Sequence, residues 1–310
     1  MTAPAEVRAV APATVANLGP GFDVLGVALA GVGDVVTARA SDAAGVRIVR
    51  IEGDDGALSR EASRNTAGIA AERTLALAGI DSGVELELKK GLPLGSGLGS
   101  SAASAAAAAY AVNCLFGSPL RKPDLVGPCL EAEAAVSGRH ADNVAAALLG
   151  GLVLVRRVEP LDVVRLPVPE GLTLAVVTPR YAVSTREARA VLPASIPLDA
   201  HVRASADLAA LVGACHSGDW ALLARAVNDE LVTPARASLI PGCLDVIRSA
   251  LDAGALGSAI SGSGPSIFAL CRSPRSAAAA AAAMTAAFAR AGLDAKSIVS
   301  TADAPGVRRL

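Results

Sequence analysis

Two stretches of this chain have different hydrophobic patterns and are joined by a glycine-rich loop. Residues 84–88 alternate apolar and charged side chains, a period of two that predicts a half-buried β-strand. Residues 101–114 are mostly alanine, the strongest helix former, and predict an α-helix. The connecting loop and the helix start read Pro93, Leu94, Gly95, Ser96, Gly97, Leu98, Gly99, Ser100, Ser101, Ala102 and Ala103. We expect this loop to bind phosphate, because the first turn of a helix has unpaired N–H groups and glycine lets a ligand approach the backbone.

The rest of the pattern predicts strands and helices in alternation. We expect strands at residues 7–11, 35–39, 46–51, 152–155, 172–177 and 297–302, and two more around a second glycine loop at 261–265. We expect helices at residues 66–78, 129–136, 204–216, 220–229, 244–253 and 276–289.

Two further helices and a domain boundary follow from capping signals and polarity. Ser184 and Glu187 form a capping-box pattern that starts a helix. Asp142 or Asn143 is expected to cap a helix over residues 144–149 that ends at Gly150. The polar, proline-containing segment 156–170 predicts a boundary between domains 1–160 and 161–310.

Composition and charge narrow the class of protein. The chain is 52% hydrophobic with only 2% aromatic residues, so alanine, valine and leucine must build a large core. The net charge is −1 and the basic residues are dispersed, which argues against nucleic acid and membrane surfaces as partners. Five cysteines without a C-x-x-C pair indicate reduced thiols rather than a zinc site. With neither a secretory signal pattern nor a membrane-spanning run, we expect a cytoplasmic protein.

Three other interpretations of the glycine-rich loop fit it less well. A Walker A loop requires a lysine before its last serine or threonine, and no lysine lies between Gly91 and Lys122. A dinucleotide-binding loop requires G-x-G-x-x-G, whereas this loop reads G-x-G-x-G followed by Ser100 and Ser101. A flexible connection between a strand and a helix stays open on the loop alone.

Residues 12–23 form a second motif, in which Gly19, Pro20 and Gly21 predict a tight turn. That turn should bring Asn17 and Asp23 together. An amide beside a carboxylate can hold a hydroxyl and an ammonium group, although both side chains can instead bond the backbone of the turn.

Polar residues near two helix starts are further candidates. In the segment 138–143, one helix cap explains Asp142 or Asn143 but leaves His140 without a role. After the capping box, Thr185 and Arg189 lie on one face of a helix, where a hydroxyl and a guanidinium can bind a carboxylate or phosphate.

Two isolated charged residues complete the candidates. Arg236 lies alone between prolines, and Glu133 is the nearest carboxylate suited to a metal ion. Until the motifs are taken together, an ordinary solvated side chain is the better explanation of each.

Together the motifs resemble the GHMP small-molecule kinases, and the resemblance spans nearly the whole chain. Residues 93–103 are similar to the family's ATP loop, and residues 258–266 are similar to its C-terminal glycine motif. The motifs at 17–23, 140–143 and 184–189 are typical of the branch that phosphorylates the side-chain hydroxyl of L-homoserine in threonine biosynthesis. The resemblance implies an α+β fold of two domains, the first like domain 2 of ribosomal protein S5 and the second ferredoxin-like.

The resemblance also implies ATP and Mg²⁺ as cofactors. Residues 93–103 would surround the ATP phosphates, chiefly through Gly95, Gly97, Gly99, Ser100 and Ser101. One of the two serines, with Glu133, would hold Mg²⁺, and Glu131 is the second choice of carboxylate.

In the same way, the resemblance assigns an acceptor site. Asp23 would receive the substrate ammonium, while Arg189 and Arg236 would hold its carboxylate. The residues implied at the acceptor hydroxyl and the transferring phosphate are Asn17, His140, Asn143 and Thr185.

The chain departs from some members of the family at a residue that bears on the general base. Family members of the mevalonate kinase type have a lysine in the N-terminal motif where this chain has Thr14. Without that lysine, we count Asp142 among the residues at the reacting groups but hypothesise that catalysis depends mainly on positioning and Mg²⁺ electrostatics. Two alternatives stay open, namely a related kinase for another small alcohol and a catalytically silent sensor of nucleotide or amino acid. A homodimer is a further expectation.

Overall fold

The chain forms two β-sheets with helices packed on them, in a computed structural model that describes residues 5–310. The strands are β1 (Glu6–Ala16), β2 (Leu25–Ser41), β3 (Val46–Glu52), β4 (Gly83–Lys89), β5 (Leu152–Val158), β6 (Leu161–Leu166), β7 (Thr173–Pro179), β8 (Gly257–Ile260), β9 (Ile267–Cys271), β10 (Ala295–Thr301) and β11 (Arg308–Arg309). The helices are α1 (Thr66–Ala78), α2 (Ser100–Leu115), α3 (Val126–Ala134), α4 (Asp142–Leu149), α5 (Thr185–Ala190), α6 (Leu198–Ser217), α7 (Trp220–Ala226), α8 (Val232–Arg236), α9 (Cys243–Asp252) and α10 (Pro274–Arg290). Over the described part of the chain, none of these helices has the length and apolar character needed to cross a membrane.

The first sheet has seven strands and is organised around the long strand β2. One edge of β2 pairs with β1, and the other pairs with β5 near its start and with β4 near its end. β3 lies parallel to β4, whereas the other pairings of this sheet are antiparallel. The C-terminal strand β11 joins the edge of β1, so both ends of the described chain belong to this sheet.

Alanine explains how closely α2 packs against the first sheet. The alanines of this helix from Ala102 to Ala109 are fully buried. Their small side chains let the helix backbone approach β1 and β2 on one side and α1 on the other. The position of the N-terminus of α2 is therefore set by the sheet.

The second sheet has four strands in the order β10-β7-β9-β8, all antiparallel. With helices between β7 and β8 and between β9 and β10, this is the predicted ferredoxin-like topology. β7 is buried on both faces. Ala175 and Val177 pack with α9 and α10, whereas Leu174 and Val176 belong to the core shared with the first sheet.

The predicted strands and helices are present in the structure, with shifted ends. Two predicted short strands are parts of the much longer β1 and β2, and the helix expected at 220–229 ends at Ala226. The capping box at Ser184 and Glu187 is confirmed, with the Glu187 N–H donating to Ser184 Oγ at 3.1 Å. The sequence pattern missed β6, β11 and α8, which are short or lack a clear period.

The predicted cap of α4 is wrong. Ala141 already has helical dihedral angles, so the helix begins one residue earlier than a capping Asp142 would allow and two residues earlier than a capping Asn143 would allow. No side chain caps it. Gly150 does end this helix, as predicted, with a φ of 75°.

The polar segment 156–170 contains a hairpin. β6 pairs with β5 and extends the first sheet beyond residue 160. The predicted division between domains 1–160 and 161–310 falls inside this hairpin, whose solvent-facing strands account for the polar composition.

A buried ion pair connects the end of β4 to the start of α2. Lys90 donates to Asp34 of β2, to the backbone oxygen of Ser100 at 3.0 Å and to Ser104 Oγ at 2.7 Å. Asp34 also accepts hydrogen bonds from the N–H groups of Gly91 and Leu92. The carboxylate of one strand thus fixes both ends of the glycine-rich loop that precedes α2.

We predict that Asp34→Ala lowers the free energy of unfolding by about 3–5 kcal/mol, because it leaves the Lys90 cation buried without its partner. Burial already lowers the pKa of Lys90, and the Asp34 charge opposes that effect. Urea unfolding followed by circular dichroism measures the change. Asp162→Ala, which removes an exposed partner of Arg156, is the control. Equal urea midpoints for the two variants would contradict the prediction.

Candidate active site

Residues from both halves of the chain line an open cleft of about 1100 Å³. The sequence-predicted residues found in its wall are Asn17, Asp23, Leu94, Gly95, Ser96, Gly97, Gly99, Ser100, Ser101, Glu133, His140, Asp142, Asn143, Thr185, Arg189 and Arg236. Four loop residues lie outside the wall: Leu98, Ala102 and Ala103 are buried beneath it, and Pro93 is exposed elsewhere. The cleft therefore unites residues from four separate motifs with the isolated Glu133 and Arg236.

The glycines of the first loop have conformations that other residues rarely adopt. Gly95, Gly97 and Gly99 have φ values of 61°, 75° and 64°. A Cβ atom at Gly97 would lie 2.5 Å from the backbone oxygen of Ser261, so this position has no room for a side chain. Gly99 occupies the N-cap of α2, where no side chain blocks the helix N–H groups. The loop therefore presents bare backbone at a helix N-terminus, an arrangement suited to anions.

The second glycine loop, between β8 and β9, is hydrogen-bonded to the first. Ser261 Oγ donates to the oxygen of Gly97 at 2.7 Å, and Ser266 Oγ donates to the oxygen of Ser96 at 2.6 Å. The oxygen of Gly262 accepts from Asn17 Nδ2 at 3.3 Å. These bonds hold the two loops and the N-terminal turn in one arrangement.

Oxygen atoms gather beside the N-terminus of α2. Ser101 Oγ lies 2.8 and 3.0 Å from the two carboxylate oxygens of Glu133, which also accepts a hydrogen bond from Ser137. Glu133 is buried, whereas Glu131 points away from the cleft to Arg73. A serine hydroxyl and one carboxylate are oxygen ligands of the kind that Mg²⁺ accepts together with substrate phosphates. Over residues 5–310, three or more acidic, histidine or cysteine side chains nowhere gather as a metal site.

The N-terminal turn has the predicted geometry. Asn17 Oδ1 accepts a hydrogen bond from the N–H of Asp23 at 3.1 Å, so the two residues are close, and both also line the cleft. The amide of Asn17 is therefore used by the turn and its loop contact, while the Asp23 carboxylate is directed to a side chain across the cleft.

That side chain is Arg189, whose Nη2 donates to Asp23 Oδ1 at 2.8 Å. Arg236 lies beside it, is almost fully buried and donates to the oxygens of Ala188 and Gly262. The Phe22 ring contacts both guanidinium groups, with its centroid 5.5 Å from Arg189 Cζ and 5.3 Å from Arg236 Cζ. Burial and the neighbouring Arg189 charge lower the pKa of Arg236.

Arg189 has unused hydrogen-bonding capacity. Among the described residues, its Nε is the buried side-chain nitrogen or oxygen that lacks a hydrogen-bond partner. An unpaired buried donor is costly, and a bound anion would relieve that cost. One end of the cleft thus combines a carboxylate with two guanidinium groups, a mixed-charge environment suited to a zwitterion.

Asp142 lies in the cleft wall but is almost fully buried. Burial raises the pKa of Asp142 to about 6; His140, whose Nδ1 is 3.8 Å away, opposes this rise and Asp23 adds to it. Asp142 Oδ1 accepts from the N–H of Asn143 at 2.9 Å. Asn143 accepts at its own Oδ1 a hydrogen bond of 2.7 Å from Thr14 Oγ1.

Three residues that support the site looked like ordinary strand or helix positions in the sequence. Thr14 bonds to Asn143, Lys90 bonds to the backbone oxygen of Ser100, and Ser104 bonds to Lys90 and Asp34. Asn65 lines the opposite wall and caps α1, accepting from Ala67 N at 3.0 Å. An asparagine before a helical pattern is a recognisable cap, and that signal could have drawn attention to this wall.

The chain is similar to known proteins over nearly its whole length. The GHMP kinase N-terminal domain family matches residues 65–151, and the GHMP kinase C-terminal family matches residues 211–290. The chain is 51% identical to homoserine kinase of Arabidopsis thaliana over 86% of this chain and 74% of that protein. It is 45% identical to homoserine kinase of Xanthomonas campestris over 98% and 94% of the two chains. The crystal structure of homoserine kinase from Cytophaga hutchinsonii superposes with a TM-score of 0.97 at 46% identity, covering 100% and 99% of the two chains.

We predict that the buried carboxyl group of Asp142 makes stability depend on pH. Its pKa of about 6 in the folded protein exceeds the usual value near 4, so the fold binds a proton that the unfolded chain has released. This contribution is complete below pH 4 and is lost as the pH rises through 6. The free energy of unfolding of the wild type, relative to Asp142→Asn, should therefore fall by about 2 kcal/mol between pH 4 and 7. Urea unfolding at several pH values measures it, with the exposed Asp162→Asn as control. Parallel curves for wild type and Asp142→Asn would contradict the prediction.

Proposed function

The chain belongs to the GHMP kinase family and, within it, to the homoserine kinases, and from this premise we propose how its cleft works. The enzyme transfers the terminal phosphoryl group of ATP to the side-chain hydroxyl of L-homoserine, giving O-phospho-L-homoserine and ADP, a step of threonine biosynthesis. The observation that best supports the acceptor site is the pairing of Asp23 with Arg189 beside the buried Arg236. A cytoplasmic location and a homodimeric assembly stay predictions.

The nucleotide phosphates bind at the N-terminus of α2. Gly95, Gly97 and Gly99 bring backbone N–H groups to the phosphate oxygens, and the helix dipole favours their negative charge. Ser101 and Glu133 would hold Mg²⁺, with Ser100 as the alternative serine. When bound, Mg²⁺ neutralises charge that develops on the phosphate oxygens.

The acceptor binds at the mixed-charge end. In the structure, the Asp23 carboxylate and the Arg189 guanidinium neutralise each other. Homoserine separates them: its ammonium takes the place of Arg189 at Asp23, and its carboxylate bonds Arg189 and Arg236. The unpartnered Arg189 Nε gains an acceptor in this exchange. The hydroxyl then points toward Asn17, His140, Asn143 and Thr185, between the two binding regions.

Phosphoryl transfer requires the hydroxyl oxygen to bond to the γ-phosphorus while the bond from phosphorus to the bridging oxygen of ADP breaks. The hydroxyl proton leaves to the transferred phosphoryl group or to water. Since the transition state of such transfers is loose, positioning and charge stabilisation supply most of the rate acceleration. Asp142 already accepts a hydrogen bond from its neighbour and is buried, so we assign it to holding the start of α4 rather than to proton abstraction.

We predict that Mg²⁺-dependent ADP release is confined to L-homoserine in a panel of acceptors. The panel contains 4-hydroxybutanoate, which lacks the ammonium, and 3-aminopropan-1-ol, which lacks the carboxylate, with L-serine, mevalonate, shikimate and galactose. An analogue with one charge leaves either Asp23 or the arginines without a partner and should react at least tenfold more slowly. Turnover of another alcohol at a rate within tenfold of that with homoserine would keep the kinase and overturn the acceptor site. Nucleotide binding without turnover of any acceptor would favour a sensor.

Arg189→Ala tests whether Arg189 binds the carboxylate of the acceptor. It should raise the KM for homoserine about tenfold to a hundredfold, leave the KM for ATP within twofold and abolish the preference for homoserine over 3-aminopropan-1-ol. Arg248→Ala, which removes an exposed arginine of α9, is the matched control. Equal effects of Arg189→Ala on both KM values would remove Arg189 from the acceptor site.

We predict that Asp142→Asn retains kcat within about tenfold of the wild type, whereas loss of a general base costs a factor of about 10²–10⁴. The amide keeps the hydrogen bond that the N–H of Asn143 donates. Initial rates at saturating ATP and homoserine measure kcat, and circular dichroism checks the fold. A drop beyond a thousandfold with both KM values and the fold intact would identify Asp142 as the base.

A further inference from the structure

Thr14 is a polar residue in an apolar part of β1. Its side chain is fully buried, between the buried residues Ala13 and Val15. Its backbone N–H donates to the oxygen of Leu98 at 3.0 Å, which places Thr14 directly beside the first glycine loop. Thr14 does not line the cleft. A buried hydroxyl requires a hydrogen-bond partner, and the identity of that partner indicates what Thr14 does.

The partner is the side-chain amide of Asn143. Thr14 Oγ1 donates to Asn143 Oδ1 at 2.7 Å. A threonine hydroxyl has one proton, so this bond uses its donor capacity and engages the amide carbonyl. Asn143 Nδ2 has only a long contact of 3.5 Å, to Asp142 Oδ1. With the carbonyl held at the back, the NH₂ group is the part of the amide left to donate to a ligand.

The glycine loop is shaped around this pair. A Cβ atom at Gly99 would lie 2.0 Å from Thr14 Oγ1 and 2.9 Å from Asn143 Oδ1. The absence of a side chain at the N-cap of α2 therefore leaves room for the hydrogen bond between β1 and α4. Because Gly99 has no side chain, the N-terminus of α2, which attracts phosphate, can also lie next to the amide of Asn143.

We propose that Thr14 is a positioning residue, which fixes the Asn143 amide with its NH₂ group toward the transferring phosphoryl group. The inference rests on the proposed function and deepens it. In this orientation Asn143 donates to oxygen atoms that gain negative charge in the transition state. If the amide turned over, its carbonyl oxygen would face those atoms and repel them. Asn143 thus acts as a hydrogen-bond donor and does not accept the proton of the acceptor hydroxyl.

The test compares Thr14→Val with Thr14→Ser. Valine keeps the shape of threonine and removes the donor, whereas serine keeps the donor. Thr14→Val should lower kcat about tenfold to a hundredfold with both KM values within twofold of the wild type. Thr14→Ser should restore kcat to within about threefold. A residue that only stabilised the fold would change the melting temperature and leave kcat, measured well below that temperature, unchanged.

A double-mutant cycle with Asn143→Ala decides whether Thr14 acts through the amide. In the Asn143→Ala background, Thr14→Val should have almost no further effect on kcat. A full additive loss in that background, or a kcat of Thr14→Val within twofold of the wild type, would overturn the inference. If Thr14→Val does not fold, Thr14→Cys decides, since a thiol is a weaker donor of similar size. Its kcat should then lie below that of Thr14→Ser, and equal values would overturn the inference.

Turnover by the wild type distinguishes a failure of the proposed function from a failure of the role of Thr14. Absence of wild-type turnover with homoserine would overturn the proposed function and this inference with it. Wild-type turnover combined with an unaffected Thr14→Val would overturn the role of Thr14 alone.

Discussion

The ion pair between Lys90 and Asp34 fixes the glycine-rich loop on which the cleft depends. Asp34 belongs to the central strand of the first sheet, and its carboxylate bonds the loop's first N–H groups, the Lys90 ammonium and Ser104 of α2. Both charges are buried, so neither is stable without the other. Because α2 also packs on the sheet through alanine, the helix end that receives phosphate has little freedom to move.

Both carboxylates that are assigned to ligands in the cleft, Asp23 and Glu133, have close partners within the protein. Asp23 is paired with Arg189, and Glu133 is held by two serines. These side chains would therefore exchange their present partners for ligand groups when ligands enter. The Phe22 ring against both guanidinium groups limits how far the arginines can move during that exchange.

Local sequence patterns predicted most of the fold, whereas the resemblance to a family grouped the expected site residues, most of which line one cleft. Period-two strands, alanine-rich helices and the Ser184 capping box depend on neighbours along the chain, which a sequence shows directly. The contacts of Lys90 with Asp34 and of Thr14 with Asn143 join residues 56 and 129 positions apart. No local pattern marks such partners, and a lysine at a strand end normally faces solvent. The predicted cap of α4 was wrong because the start of that helix does not depend on the nearest polar side chain.

The contact between the two glycine loops has a consequence for how such a chain can change over evolution. Gly97 has no room for a side chain because the backbone oxygens of Ser261 and Gly264 lie against it, and those atoms come from the other half of the sequence. Surface residues elsewhere in the two halves can therefore change independently. The residues where the two glycine loops touch cannot. A substitution that moves one loop requires a compensating change more than a hundred and fifty positions away, as the separation of 164 between Gly97 and Ser261 shows. Exchange of one half between distant relatives is thereby limited by the fit of two short loops rather than by the fold of either half.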